Sequence, residues 1–344
     1  MVLSIIIPTL NRDQYLKSCL NSLLNQEFDV DNYEILVVDN GSIDNTKKIT
    51  AEYISLSSEH NIRYIYEPEL GLLSGRHRGA LEAKGDILVF IDDDIEADPN
   101  WLSAIYESFQ DQSVQLVGGR NLPKYESNPP EWLEYFWIDH PFGKCLGELS
   151  LLDFGEQIRE IDANYVWGLN FSIRRQVLFD LGGFHPDCIP KHLQHFQGDG
   201  ETGLTIKANQ LGFKAIYQPK ALVMHQVPTS RMTYEYFEQR YFYQGVCNSY
   251  TNIRKLGHLP KKDYLQFLKE SIKSPLRKIK KLVFSPDKQN QEKQLLQNRL
   301  NQKLIEGINF HQNAIRETPL ILDWVLKSNY WDYHLPDIHS NNLN

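Results

Sequence analysis

Two apolar runs in this chain end in acid. Ile87-Leu88-Val89-Phe90-Ile91 leads directly into Asp92-Asp93-Asp94, and Ile35-Leu36-Val37-Val38 is closed by Asp39. Unbroken apolar runs of this length suit strands covered on both faces, as in a parallel sheet. Such sheets bind ligands beyond the carboxyl ends of their strands. Side chains alternate faces along an extended strand, so Asp92 and Asp94 are expected to project one way and Asp93 the other. Two carboxylates on one face repel unless a cation lies between them. Hard oxygen ligands of this kind suit Mg²⁺ or Mn²⁺, which keep positions open for phosphate oxygens. A lone acidic triplet reads equally well as a solvated turn. The buried strand in front of it favours the ligand.

The flanking sequence supports a layered α/β fold. Residues 2–8 read as a first strand, and Leu16, Cys19, Leu20, Leu23 and Leu24 recur at helical spacing over residues 13–26. A strand ending at Asp39, the turn Asn40 to Asp44 and a second helix follow. Then come a strand at 62–66, a helix at 73–83 stopped by Gly85, a strand at 86–91, a helix opened by Asp98-Pro99 and a strand at 114–117. This is the alternation of a doubly wound mixed sheet. From 119 to about 160 the periodicity breaks around Pro123, Pro129, Pro130 and Pro141 and the cluster Trp132, Tyr135, Phe136 and Trp137, which predicts a long functional loop. A second α/β stretch runs to about residue 225. Beyond it Tyr234, Phe237, Tyr241 and Phe242 predict a helical C-terminal extension. The expected parts are therefore 1–118, 119–230 and 231–344.

A chain of 344 residues can bury a sizeable core in one large domain or two closely packed ones. Its net charge of −8 argues against nucleic acid as a partner. Four scattered cysteines without a CxxC pair indicate neither zinc nor a disulfide framework and fit a reducing compartment. The N-terminus reads as a strand rather than a signal peptide, and no apolar stretch approaches the roughly 20 residues that span a bilayer. The expected location is the cytoplasm. Lys273, Arg277, Lys278, Lys280 and Lys281 are interleaved with Ile272, Leu276, Ile279 and Val283, a pattern that suits peripheral contact of residues 272–283 with the inner membrane face or an ordinary solvated helix.

Several motifs together resemble the family 2 glycosyltransferases, whose catalytic domain has the GT-A fold. Ser4-Ile5-Ile6-Ile7-Pro8-Thr9-Leu10-Asn11-Arg12 resembles the opening strand and nucleotide loop, and Val37 to Asp44 the second loop. Gly71-Leu72-Leu73-Ser74-Gly75-Arg76-His77-Arg78-Gly79 is similar to the family's Gly-Leu-Ser-x-Ala-Arg-Asn-x-Gly, with Leu73 at the Ser position and His77 at the Asn position. Phe90-Ile91-Asp92-Asp93-Asp94 resembles the metal motif. The resemblance covers residues 2 to about 225.

It implies that Pro8, Thr9, Asn11, Asp39, Arg76, Asp92 and Asp93 serve the nucleotide sugar, with Asp92 near the ribose. It implies Asp94 as a ligand of Mn²⁺ or Mg²⁺, with His225 as a second ligand. It also places Trp167, Gly168 and Asn170 at the acceptor floor. In Gly198-Asp199-Gly200-Glu201 the family's acidic pair is altered: either acid could take the acceptor proton, with Glu201, at the catalytic position, expected as the base and Asp199 expected to hold the acceptor, or Asp199 merely caps the helix and Glu201 is an ordinary first-turn acid. Arg231 suits a diphosphate contact. The function so implied is metal-dependent, inverting transfer of a sugar from a nucleotide diphosphate sugar to a hydroxyl of a saccharide or lipid-linked acceptor, in cell-surface polysaccharide or glycoconjugate synthesis. Two competing readings are a sugar nucleotidylyltransferase, disfavoured by the absence of a Gly-rich basic loop after the first strand, and a non-catalytic nucleotide-sugar-binding module.

Overall fold

A computed structural model describes residues 2–260 and 288–336, so the basic stretch at 272–283 lies outside the described residues. The chain divides into two compact units, Met1–Met232 with Ser328–Asn344, and Thr233–Lys327.

The first unit is built on a mixed sheet. Strands β1 (Leu3–Thr9), β2 (Tyr33–Asp39), β3 (Ile62–Tyr66) and β4 (Ile87–Ile91) pair in parallel in the order β3-β2-β1-β4. The connecting helices are α1 (Asp13–Leu24), α2 (Thr46–Leu56) and α3 (Leu72–Glu82). β1, β2 and β4 are buried at every position, which is why their sequences run apolar without alternation. Short β5 (Ile95–Ala97) and helix α4 (Trp101–Ser108) follow. α1 and α4 supply Leu16, Leu20, Leu23, Trp101, Leu102 and Ile105 to the core against the sheet.

The sheet then continues past the expected break. β6 runs over Val114–Tyr125, well beyond the predicted 114–117. β7 (Ile138–His140), β8 (Gly143–Leu146), β9 (Leu151–Asp153) and β10 (Arg159–Ile161) fill much of the segment expected to be loop. Strands of three or four residues are too short to print a periodicity, and single turns of 3₁₀ helix separate several of them. β11 (Asn170–Arg174) is inserted antiparallel between β4 and β6. After α5 (Arg175–Asp180) and α6 (Thr202–Gln210), the two strands expected at 215–217 and 222–224 form one element, β12 (Lys214–Val227). Its pairing with β6 shifts register between Gln218 and Leu222. Residues 328–336 belong to this first unit.

The second unit contains α7 (Tyr234–Leu256), α8 (Lys288–Glu317) and α9 (Leu320–Leu326). The Thr233 side chain caps α7 by accepting from the Tyr236 amide, and Gly257, at φ 74°, ends it. α7 and α8 approach backbone to backbone. A Cβ at Gly245 would strike the Leu304 carbonyl, and one at Gly307 the Phe242 carbonyl.

Candidate active site

The acidic triplet lies just past the end of β4, in a turn, so strand alternation does not govern it. This corrects the expected pairing of Asp92 with Asp94. Asp93 and Asp94 instead share one cation, Arg12, whose Nε lies 2.6 Å from Asp93 Oδ1 and whose NH2 contacts Asp94 Oδ2. Thr9 donates its hydroxyl to Asp93 Oδ2 at 2.7 Å. Asp93 and Asp94 are almost wholly buried, whereas the Asp92 side chain is 38% exposed. Burial pushes the Asp93 carboxyl up to about 6 against the opposing pull of Arg12. For Asp94 burial acts the same way but loses to the Arg12 and Arg231 guanidiniums, which hold that carboxyl below the usual range.

Asp94 is the meeting point of two strand ends. His225 on β12 points Nε2 at Asp94 Oδ1 from 3.5 Å, and Arg231 places NH2 3.0 Å from Asp94 Oδ2. The His225 ring is fixed by the Leu149 carbonyl, 2.9 Å from Nδ1. A carbonyl only accepts, so Nδ1 carries the proton and Nε2 presents a lone pair, to which Arg231 NH1 donates at 2.9 Å.

Among the described residues no cluster of three or more His, Cys, Asp or Glu side chains forms a metal cage. The residues at Asp94 nevertheless fit a divalent ion. Asp94 Oδ1 is buried with no hydrogen-bond partner, beside an imidazole in the tautomer that metals take. One carboxylate and one imidazole suffice where phosphates supply other ligands.

The loops after β1 and β2 are stapled to each other. Asn11, at φ 53°, accepts from the Ile43 amide at 2.8 Å, and its own amide donates to Ser42 Oγ at 2.9 Å. Left-handed backbone is tolerated by Asn better than by most residues. Asp39 accepts from the Ser42 amide and from the Tyr64 hydroxyl, so its carboxylate sets this loop from within the protein. Pro8 is buried against Gly75 of α3 and contributes packing.

Arg76 of α3 links the triplet to the acids near residue 200. It is 3% exposed, with NH1 3.3 Å from Glu201 Oε2 and NH2 3.8 Å from Asp92 Oδ1, and its guanidinium lies 5.1 Å above the Phe184 ring. Glu201 Oε1 accepts from the Gly168 amide at 3.1 Å, and its side chain stays 25% exposed. Any Cβ at Gly168 would run into the Arg76 guanidinium, which explains a glycine there.

Asp199 is buried, with Oδ1 2.6 Å from His185 Nδ1. Asn170 is also internal. It accepts from the Trp101 indole and donates to Asn121 Oδ1 and the Ala221 carbonyl, tying α4, β6 and β12 together. Trp167 is half-buried, with its indole N–H on the Asn164 carbonyl. Arg12 was missing from the expected site residues, and so was Asp187, which accepts from the Cys188 amide and Gln197 Nε2 close to Gly200. Burial and the nearby Glu201 push the Asp187 carboxyl up. Asp187 stands in a Pro-flanked loop where no period marks it. Arg12 had a signal, a basic residue directly after a strand-end loop.

The comparison with known proteins follows the same architecture. Residues 4–181 match the family model of glycosyl transferase family 2. The chain is 24% identical over 251 residues to a glucosyl-dolichyl phosphate glucuronosyltransferase of Haloferax volcanii, covering 71% of this chain and 75% of that protein. It is 28% identical over 225 residues to the glycosyltransferase AglE of the same organism, covering 64% of this chain and 66%, just under two thirds, of that one. Among solved structures, the mannosyltransferase PcManGT from Pyrobaculum calidifontis, in complex with GDP-Man and Mn²⁺, matches with a TM-score of 0.53 at 17% identity, covering 96% of this chain and 88% of that one. At that identity the likeness concerns the fold, which is GT-A. The family match spans more than half of the chain, which therefore belongs to glycosyl transferase family 2 and is a glycosyltransferase.

Proposed function

We propose that the chain is a metal-dependent, inverting hexosyltransferase that moves a sugar from a nucleotide diphosphate sugar to a hydroxyl of a saccharide or lipid-linked acceptor in cell-surface glycan synthesis at the cytoplasmic face. The observation that carries this reading is the pair formed by Asp94 and His225, an orphaned carboxylate oxygen facing an imidazole lone pair at the ends of β4 and β12. Asp94 and His225 would hold Mn²⁺ or Mg²⁺, which supplies charge neutralisation to a departing diphosphate. Support for a lipid-linked acceptor comes from the dolichyl phosphate relative.

The chain's own residues then divide the work. The first 118 residues with the end of β12 bind the donor, and residues 119–230 present the acceptor. Asp92, the exposed member of the triplet, faces the ribose. Arg12 and Arg231 bring positive charge to the phosphate side. Glu201 takes the proton from the acceptor hydroxyl as its oxygen bonds to the anomeric carbon and the carbon–oxygen bond to the diphosphate breaks; one displacement inverts the centre. Arg76 holds Glu201 in place through its guanidinium, 3.3 Å from Oε2. The structural position of Asp199 favours Glu201 as the base.

Asp94→Asn is expected to abolish turnover while preserving the fold. Calorimetric titration of wild type and variant with UDP and GDP, each with and without Mn²⁺, gives a second readout. Ion-dependent nucleotide binding that survives undiminished in the variant overturns the role of Asp94.

A further inference from the structure

The departure of His77 from the family motif has a counterpart more than 250 residues away. His77 is 3% exposed, and its Nδ1 lies 3.2 Å from the Tyr330 carbonyl, while Nε2 accepts from the Phe184 amide at 2.9 Å. A carbonyl only accepts and an amide only donates, so the ring is neutral with its proton on Nδ1. The imidazole stacks on the Trp331 indole with ring centroids 4.0 Å apart, and Trp331 stacks in turn on Phe179 at 4.5 Å. A Cβ at Gly183, whose φ is +75°, would collide with both His77 and Trp331. Residues 328–336 are fastened again nearby: the Tyr333 hydroxyl donates to the Leu70 carbonyl at 2.9 Å, and His334 Nδ1 lies 3.1 Å from Glu69 Oε1. This strap lies in the first unit, outside the segment matched by the family model.

Its load falls on Phe184. The Phe184 amide is held by His77, and its ring carries the Arg76 guanidinium and meets Phe90, two residues before Asp92, at 4.9 Å. Arg76 Nε is itself buried without a hydrogen-bond partner. The guanidinium is therefore placed by stacking and by its two acids rather than by a full set of hydrogen bonds.

We propose that His77 is a positioning residue for Arg76, and that the strap at Tyr330, Trp331 and Tyr333 clamps it, fixing Arg76 between Asp92 and Glu201. The inference rests on the transferase reading for its kinetic consequence but not for its structural one. Helix α3 alone does not define the ring orientation of His77, since Tyr330, Phe184 and Trp331 all lie outside it. Loss of the clamp would leave the two acids in place and let Arg76 drift between them. Misplacement of about 1 Å in such a group costs about 100-fold in rate.

The test uses the full chain with Trp331→Ala, Trp331→Leu, Trp331→Phe and His77→Phe. His77→Phe keeps the stack and loses both hydrogen bonds, and Trp331→Phe keeps an aromatic face. The ¹⁵Nε resonance of Arg76, assigned by its loss in Arg76→Lys, is read in every folded variant without substrate. Kinetics are read well below each melting temperature. Trp331→Ala, Trp331→Leu and His77→Phe are expected to shift or broaden the Arg76 signal and to lower kcat about 10- to 100-fold, with donor KM within about threefold. Trp331→Phe restores both readouts to near wild type. A lowered melting temperature with an unchanged Arg76 signal and unchanged kcat overturns the proposal and leaves the strap a stabilising element only. An altered Arg76 signal in a protein whose wild type turns over no donor upholds the clamp and sinks the transferase reading instead. Should Trp331→Ala fail to fold, Trp331→Leu and His77→Phe decide the matter.

Discussion

The end of β4 and the start of α6 both gather acids, and they stabilise them in opposite ways. At β4 buried carboxylates meet permanent cations: Arg12 bridges Asp93 and Asp94, and Arg231 reaches Asp94 from beyond β12. Near α6 the buried acid meets an imidazole, Asp199 with His185, while Glu201 stays partly open, held by one backbone amide and Arg76. Burying a charge without a partner is costly, so the two arrangements limit differently what each region can do. The β4 end concentrates positive charge around a carboxylate that a metal and a diphosphate can share. The α6 end keeps one carboxylate reachable by a hydroxyl.

The largest expected effect breaks that contrast at its reachable acid. Glu201→Gln keeps one acceptor oxygen for the Gly168 amide or Arg76, exchanges the other for an NH2 donor, and cannot take a proton in the transition state. Its kcat is expected to fall by about 10²- to 10⁴-fold with donor KM little changed. Steady-state kinetics with any donor that wild type accepts reads this directly; a full-rate Glu201→Gln would return the base to Asp199 or Asp187.

Next comes Gly168→Ala, which drives a methyl into the Arg76 guanidinium. The rate should drop about 10- to 100-fold as Arg76 is displaced. Overpacking of this kind also costs about 1–3 kcal/mol of stability. Parallel melting and rate measurements separate the two, and a variant with wild-type rate would show that Arg76 has room to spare.

How much of this was legible beforehand follows from the same contrast. The β4 side was readable because its residues sit on strand ends. β1, β2 and β4 are buried throughout, so their apolar runs mark where the strands stop, and the acids at their ends fall within a residue or two of the expected places. The error there was local: alternation was extended into a turn, which paired Asp92 with Asp94 where Arg12 couples Asp93 with Asp94. The α6 side is assembled from loops whose course depends on partners distant in sequence. The resemblance placed Asn170 at the acceptor floor, and its contacts to Trp101, Asn121 and Ala221, from three other elements, could not be read from the local sequence. Asp199 was expected to hold the acceptor from its place in the family's altered acidic pair. Only the fold places His185 against it. The strands between 138 and 161 were too short to announce themselves, and nothing local to His77 points to Trp331.

A smaller effect sharpens the contrast at Asp199. Asp199→Asn removes the charge facing His185 and leaves Glu201 untouched. Stability is expected to fall by about 1–3 kcal/mol, the usual cost of spoiling a buried charged hydrogen bond. The rate per folded molecule should stay within a few-fold of wild type. Calorimetry paired with kinetics checks this, and loss of turnover at an unchanged melting temperature would move Asp199 back into the chemistry.

The smallest effect is a pH dependence that belongs to the α3 side alone. Burial lowers the His77 pKa from 6.5 to about 3, against the favourable Tyr330 carbonyl and with help from His185 and Arg76, the charged or titratable groups that face it. Above pH 6.5 the ring is neutral in both folded and unfolded chains, and the stability linked to it is fully present. As pH falls from about 6.5 toward about 3 the unfolded chain takes up a proton that the folded one refuses, so stability declines, by up to about 1.4 kcal/mol per pH unit. His77→Phe lacks this linkage, while His185 is common to both proteins and cancels between them. The stability difference between wild type and His77→Phe, from denaturant titrations, should therefore shift by about 2 kcal/mol in favour of the variant between pH 7 and pH 5. A difference that stays constant over that interval would mean that His77 accepts its proton in the folded state, and that the Tyr330 and Phe184 contacts do not hold it neutral.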